Sequence, residues 1–108
     1  MNKQDYAKQI ARVIMGQFGG QRFIAMTGAR QFVALPAPGV QFDLPARFAR
    51  DGINRVQVVL DPCDTYTVTY MRVNRRTFSV ETVHQESGIY CDMLEERFEA
   101  VTGLVTQL

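Results

Sequence analysis

Hydrophobic positions near the start of the chain recur at three- and four-residue spacing: Tyr6, Ile10, Val13, Ile14 and Phe18, with Lys8, Gln9 and Arg12 between them. That period predicts an amphipathic helix over residues 3–18, stopped by Gly19-Gly20. From Gln21 the period changes to two. The stretches Arg22–Thr27 and Gln31–Leu35 read as two strands of a hairpin, with Gly28 turning the chain between them. After Pro36, Pro38 and Gly39, the run Val40-Gln41-Phe42-Asp43-Leu44 alternates apolar and polar, the pattern of a half-buried strand.

Residues 45–54 read as a loop or short helical turn, and residues 53–60 alternate again. Asp61-Pro62-Cys63-Asp64 closes that strand with turn chemistry. Thr65–Val73 is filled by β-branched and aromatic residues and is the clearest strand of the chain. Asn74-Arg75-Arg76 turns it into a further strand over Thr77–Val83. Beyond Ser87-Gly88, with Ser87 as N-cap, the residues Tyr90, Met93, Leu94, Arg97, Phe98 and Val101 form a second helical stripe, and Gly103 ends it as C′ residue.

Strands joined by turns this short pair antiparallel, since a parallel crossover needs a dozen residues or more. The expectation is a single α+β domain over residues 1–108. Its antiparallel sheet has five or six strands, with an N-terminal and a C-terminal helix packed on one face.

Composition narrows the function classes. The chain has 108 residues, 46% hydrophobic, with a formal net charge of +1. A strongly basic module and a disordered tail are both excluded by that balance. The near-neutral sum hides an asymmetry. Residues 1–60 hold eight bases and three acids, or +5, whereas residues 61–108 hold four bases and eight acids, or −4. Arginine supplies ten of the twelve bases, the side chain that forks onto carboxylates and phosphates. Such a bias means either internal ion pairing or anion recognition.

Little points to catalysis. Cys63 and Cys91 fit no CxxC spacing, and the chain opens with no secretory pattern, so two reduced thiols in the cytosol are expected. His84 is the one histidine, which excludes a His–His metal pair, and nothing marks Cys91 as activated for a dyad with it. Asp61 and Asp64 suit turn capping better than a cation loop. Glu81 and Glu86 are an unremarkable pair among eleven acids. No catalytic residue, metal or cofactor is therefore expected, no run is long and apolar enough for a membrane, and the chain reads as a non-enzyme.

The stretch Arg22–Phe32, together with Gln41–Pro45, Ile53–Val56, Asp64–Tyr66 and Thr102–Leu104, resembles a group of small uncharacterised proteins carried by bacteriophages, prophages and mobile elements. The resemblance runs from about residue 20 to the C-terminus. It departs from that pattern at Cys63 and at the pair Arg75-Arg76. It implies a phage or prophage origin and a cytoplasmic life in a bacterial host, and it carries no assigned activity.

The basic and aromatic residues are the most suggestive set: Arg22, Phe23, Arg30, Phe32, Arg47, Phe48, Arg50, Arg55, Tyr66, Tyr70, Arg72, Arg75 and Arg76. A sheet carrying arginines and exposed aromatics can bind single- or double-stranded DNA by phosphate contact plus base stacking. On that reading Arg22, Arg30, Arg55, Arg72, Arg75 and Arg76 contact phosphate, and Tyr66 or Tyr70 stack. The competing reading makes the sheet aromatics core and Arg72 a rim residue. Met26-Thr27-Gly28-Ala29-Arg30 is either an anion-binding turn or a tight hairpin. The alternative function is a structural or interaction module, whether a homo-oligomer or the partner of another phage protein, oriented by the +5/−4 split.

Overall fold

The computed structural model describes residues 3–106; the outermost residues of the expected domain, 1–2 and 107–108, lie outside the described residues. The order is α1 (Lys3–Phe18), α2 (Gln21–Thr27), β1 (Arg30–Leu35), β2 (Gly39–Asp43), β3 (Arg55–Leu60), β4 (Tyr66–Val73), β5 (Val80–Ile89) and α3 (Leu94–Thr102). Short 3-10 turns at Arg50–Gly52 and Cys91–Met93 precede β3 and α3. The five strands form one antiparallel meander in the order β1-β2-β3-β4-β5, as turns of this length require.

Alternation decides the two faces of this sheet. Val40, Phe42, Val56, Val58, Val68 and Tyr70 point toward the helices and are buried. Against them lie Ile14 and Phe18 of α1, Phe23 of α2, and Leu94 and Phe98 of α3. Four phenylalanines knot this layer together. Phe18–Phe23, Phe23–Phe98 and Phe23–Phe42 have ring centroids 4.9, 5.0 and 5.5 Å apart. Edge and tilted geometries of this kind add to the burial energy of each ring. The opposite face carries the cross-strand row Gln41, Gln57, Thr69 and Gln85. Gln57 donates to Gln41 at 2.8 Å and Gln85 to Thr69 at 2.9 Å. At the start of β2 a Cβ on Gly39 would meet the Val58 carbonyl oxygen at 2.2 Å, so only glycine fits between these strands.

Two expectations are corrected. Residues 22–27, read as a strand, are a helix: Phe23 and Thr27, four apart, are both buried, and Thr27 Oγ1 donates to the Phe23 carbonyl at 2.8 Å. Gly28, at φ 73°, caps α2 through its amide to Ile24 O rather than turning a hairpin. Among the described residues the sheet accordingly has five strands. Ser87 and Gly88 belong to β5, because Ile89 pairs with Tyr66 and carries the strand past them; Ser87 caps no helix. Gly103 does end α3, at φ 75° with its amide on Glu99 O. No helix among the described residues is long and apolar enough to cross a membrane.

Candidate nucleic-acid interface

In a meander the starts of β1, β3 and β5 and the ends of β2 and β4 share one end of the sheet. Here that end collects Arg30, Asp43, the 44–54 connection, Arg55, Arg72, the 74–79 hairpin and Glu81. Seven arginines (Arg30, Arg47, Arg50, Arg55, Arg72, Arg75 and Arg76) stand there against Asp43, Asp51 and Glu81, a net of +4. The opposite end carries Asp61 and Asp64 in the β3–β4 turn and Asp92 after β5, a net of −3. The charge is thus polarised along the strands, with residues 1–60 and 61–108 each contributing +2 to the basic end.

Asp43 organises the basic end. It is 1% exposed on the face away from the helices. Arg55, directly across on β3, donates Nε to Oδ1 at 2.8 Å and Nη2 to Oδ2 at 3.4 Å, and Arg75 reaches Oδ2 at 3.4 Å from the hairpin. Arg30 is its register partner on β1. The bond to Asp43 holds the Arg55 guanidinium above its ordinary pKa. Arg72 is likewise raised by its bond to Glu81 at 2.7 Å, and it also donates to the Asp51 carbonyl at 3.1 Å. Arg50 donates to the Ala100 carbonyl at 3.0 Å, tying the 44–54 connection to α3. Arg30, Arg47 and Arg76 are exposed, and none has an ion-pair partner among the described residues.

Two large aromatic rings stand out of the same end. Phe48, between Arg47 and Arg50, is 54% exposed, and Phe78, two residues past Arg76, is 82% exposed. Phe78 has φ 59°, a conformation that bulky L-residues rarely adopt. The hairpin imposes it. Asn74 Oδ1 accepts the amides of Arg76 and Thr77 at 2.9 and 3.3 Å, while the Phe78 amide donates to Asn74 O at 2.7 Å. The Phe78 backbone amide thus serves the hairpin while its ring stands in water. Between the two loops lies a polar groove of about 520 Å³ whose lining includes Arg47, Asn54, Arg72, Asn74 and Glu81.

Of the residues expected to form the interface, Arg30, Arg55, Arg72, Arg75 and Arg76 gather at this end. Arg22 does not: it lies on α2 and pairs with Glu95 of α3 at 3.5 Å. Tyr66 and Tyr70 are 4% and 0% exposed and present no ring face for stacking. Their parity with Val68 is as expected, and the shared face is the core, with Arg72 at its rim. Phe23 and Phe42 are core too, whereas Phe32 is 40% exposed on β1. Phe48 and Phe78 replace the tyrosines as the accessible aromatics. Their sequence signal is an arginine within two residues in a segment between strands.

Thr27 and Gly28 serve the end of α2, so the Met26–Arg30 segment forms no anion-cradling turn. His84 Nε2 lies 3.1 Å from Glu86, which Arg97 of α3 binds through both Nε, at 3.0 Å, and Nη2. These contacts hold the Glu86 carboxyl below the usual range, the Arg97 bond contributing most. Tyr70 lies buried beside this group, and its hydroxyl finds no hydrogen-bond partner among the described residues. Burial first, then the charge of Glu86, holds its pKa above the ordinary tyrosine value. Cys63 and Cys91 are free and exposed, and Asp61 accepts from Thr67 at 2.7 Å in the β3–β4 turn. No group of three or more metal-ligating side chains occurs among the described residues. No protein-family model matches the chain, and neither the curated proteins nor the solved structures contain a match.

Proposed function

We propose that this domain binds single-stranded nucleic acid, without catalysis, through the basic end of its sheet. The observation that carries the reading is two exposed rings close in sequence to uncommitted guanidinium groups: Phe48 next to Arg47, and Phe78 two residues from Arg76. Base stacking on aromatic side chains is tolerant of sequence and is worth about 1–3 kcal/mol per base. Arginines supply the phosphate term and a cation–π contribution. Single strands are favoured over duplex because only unstacked bases offer a face to these rings.

Arg30, Arg47 and Arg76, helped by the half-exposed Arg75, make about three or four phosphate contacts available. For a single strand that corresponds to a salt slope of roughly −2 to −3 in log K against log salt. The test is a fluorescence-anisotropy titration of labelled oligo-dT and its duplex at low salt. Expected are micromolar binding of the single strand, the stated slope, and loss of binding in Arg47→Glu/Arg76→Glu. No binding at about 50 μM protein, within the range of ordinary non-specific affinity, overturns the reading.

A further inference from the structure

The meander leaves two edge strands, and they are built differently. β5 carries Glu81, His84 and Glu86, and its pairing with β4 shifts register twice. Charges and bulges of this kind keep an edge from pairing with another chain. β1, Arg30-Gln31-Phe32-Val33-Ala34-Leu35, has no charge after Arg30. Its one register shift falls between Arg30 and Val33, across Gln31 and Phe32, and leaves Val33–Leu35 in regular register with β2. Phe32 is 40% exposed and Val33 48% exposed, and by the alternation of the strand they point to opposite faces.

Beside this edge, on the helix side, is a groove of about 330 Å³ between α1 and β1. Ala11, Met15, Phe32, Ala34 and Val40 give it apolar walls, and Lys8 and Arg12, one helical turn apart on α1, supply its cationic rim. Neither base has an ion-pair partner among the described residues. Apolar exposure on both faces of an open strand, next to a groove with a basic lip, suits a peptide that adds as a sixth strand.

We propose that β1 and the α1–β1 groove form a docking site for an extended peptide segment of a partner protein, with apolar side chains for the groove and carboxylates for Lys8 and Arg12. The six residues of β1 accommodate about six residues of an added strand. Charge argues against a second copy as the occupant. Self-pairing of β1 would bring two sets of Lys8 and Arg12 to one seam, with Asp5 the acid on the same stretch of α1. The site is remote in sequence from Phe48 and Phe78, and Arg30, which opens β1, is the residue it shares with the proposed nucleic-acid face.

The test uses the full chain, labelled with nitrogen-15, titrated with the hexapeptide acetyl-EVEVEV-amide and with acetyl-KVKVKV-amide. The acidic peptide is expected to shift β1 amides and α1 signals around Lys8 and Arg12, at a concentration at least tenfold below that needed for the lysine peptide. Lys8→Glu/Arg12→Glu, both on the exposed helix surface, reverses that preference. Val33→Lys, at an exposed position the fold tolerates, abolishes binding while leaving the remaining spectrum in place. Equal response to both peptides, or shifts at β5 instead of β1, overturns the proposal. A sedimentation mass of two chains that reverts to one in Val33→Lys also overturns it, by making a second copy the occupant.

Discussion

Replacing Tyr70 by phenylalanine should stabilise the domain. Tyr70 is 0% exposed on β4, and its hydroxyl has no hydrogen-bond partner among the described residues. An unsatisfied buried polar group costs about 1–3 kcal/mol. Removing one oxygen forfeits a few dispersion contacts, about 0.5 kcal/mol in total. The net gain in Tyr70→Phe is therefore about 0.5–2.5 kcal/mol. Unfolding entropy scales to about 230 cal/mol/K for a chain of this size, so Tm should rise by roughly 2–11 °C. Proton linkage adds a second signature. The folded pKa is raised, so the contribution is whole below the unfolded value near 10 and is lost as pH rises above it. At pH 11 the wild type loses roughly 1 kcal/mol that the variant keeps. Urea unfolding of both proteins at pH 7 and pH 11 measures both effects. A destabilised variant, or an advantage that does not grow with pH, would show that the hydroxyl is satisfied in solution and refute the reasoning.

Phe78→Asn keeps a residue that tolerates positive φ. Its stability should stay within about 1 kcal/mol of wild type, while oligo-dT affinity falls by about 1–3 kcal/mol in anisotropy. Asp43→Asn removes the one carboxylate shared by Arg55 and Arg75. Chemical denaturation should show a loss of about 2 kcal/mol, and the same protein should bind oligo-dT more tightly because two guanidinium groups are released. Gly39→Ala drives a Cβ into the Val58 carbonyl and should lose about 2–3 kcal/mol by thermal melting. Glu86 has a lowered pKa, so its contribution is whole above the unfolded value near 4.3 and is lost as pH falls through the folded one. Glu86→Gln should flatten the acid limb of a Tm-against-pH curve.

Much of the architecture was legible because burial on one face of a strand writes a period of two into the chain. Val40 and Phe42, Val56 and Val58, and Tyr66, Val68 and Tyr70 all show it, and α1 and α3 show the helical equivalent. The reading failed where a segment is short. Seven residues from Gln21 to Thr27 hold fewer than two helical turns, so Phe23, Ile24 and Met26 imitate a strand as readily as a helix. The better cue was positional: Gly20 and Gly28 bracket the segment, and Phe23 and Thr27 lie one turn apart inside it. At Ser87-Gly88 local capping chemistry lost to the pairing of Ile89 with Tyr66, a contact no local window contains. The basic end was half legible. Five arginines fall together because meander topology fixes which strand ends coincide, but exposure of Phe48 and Phe78 and burial of Tyr66 and Tyr70 depend on where the helices lie.

The phenylalanine knot also constrains the order in which the fold can close. Every strand pairs with its neighbour in sequence, so the sheet can zip up hairpin by hairpin from local contacts alone. Phe18 and Phe98, with ring centroids 5.8 Å apart, belong to opposite ends of the chain. During synthesis Phe18, Phe23 and Phe42 leave the ribosome while α3 is still unmade, and they wait with one side uncovered. The finished domain is sealed by its last helix, which makes α3 the element whose loss would turn a foldable sheet into an exposed aromatic surface.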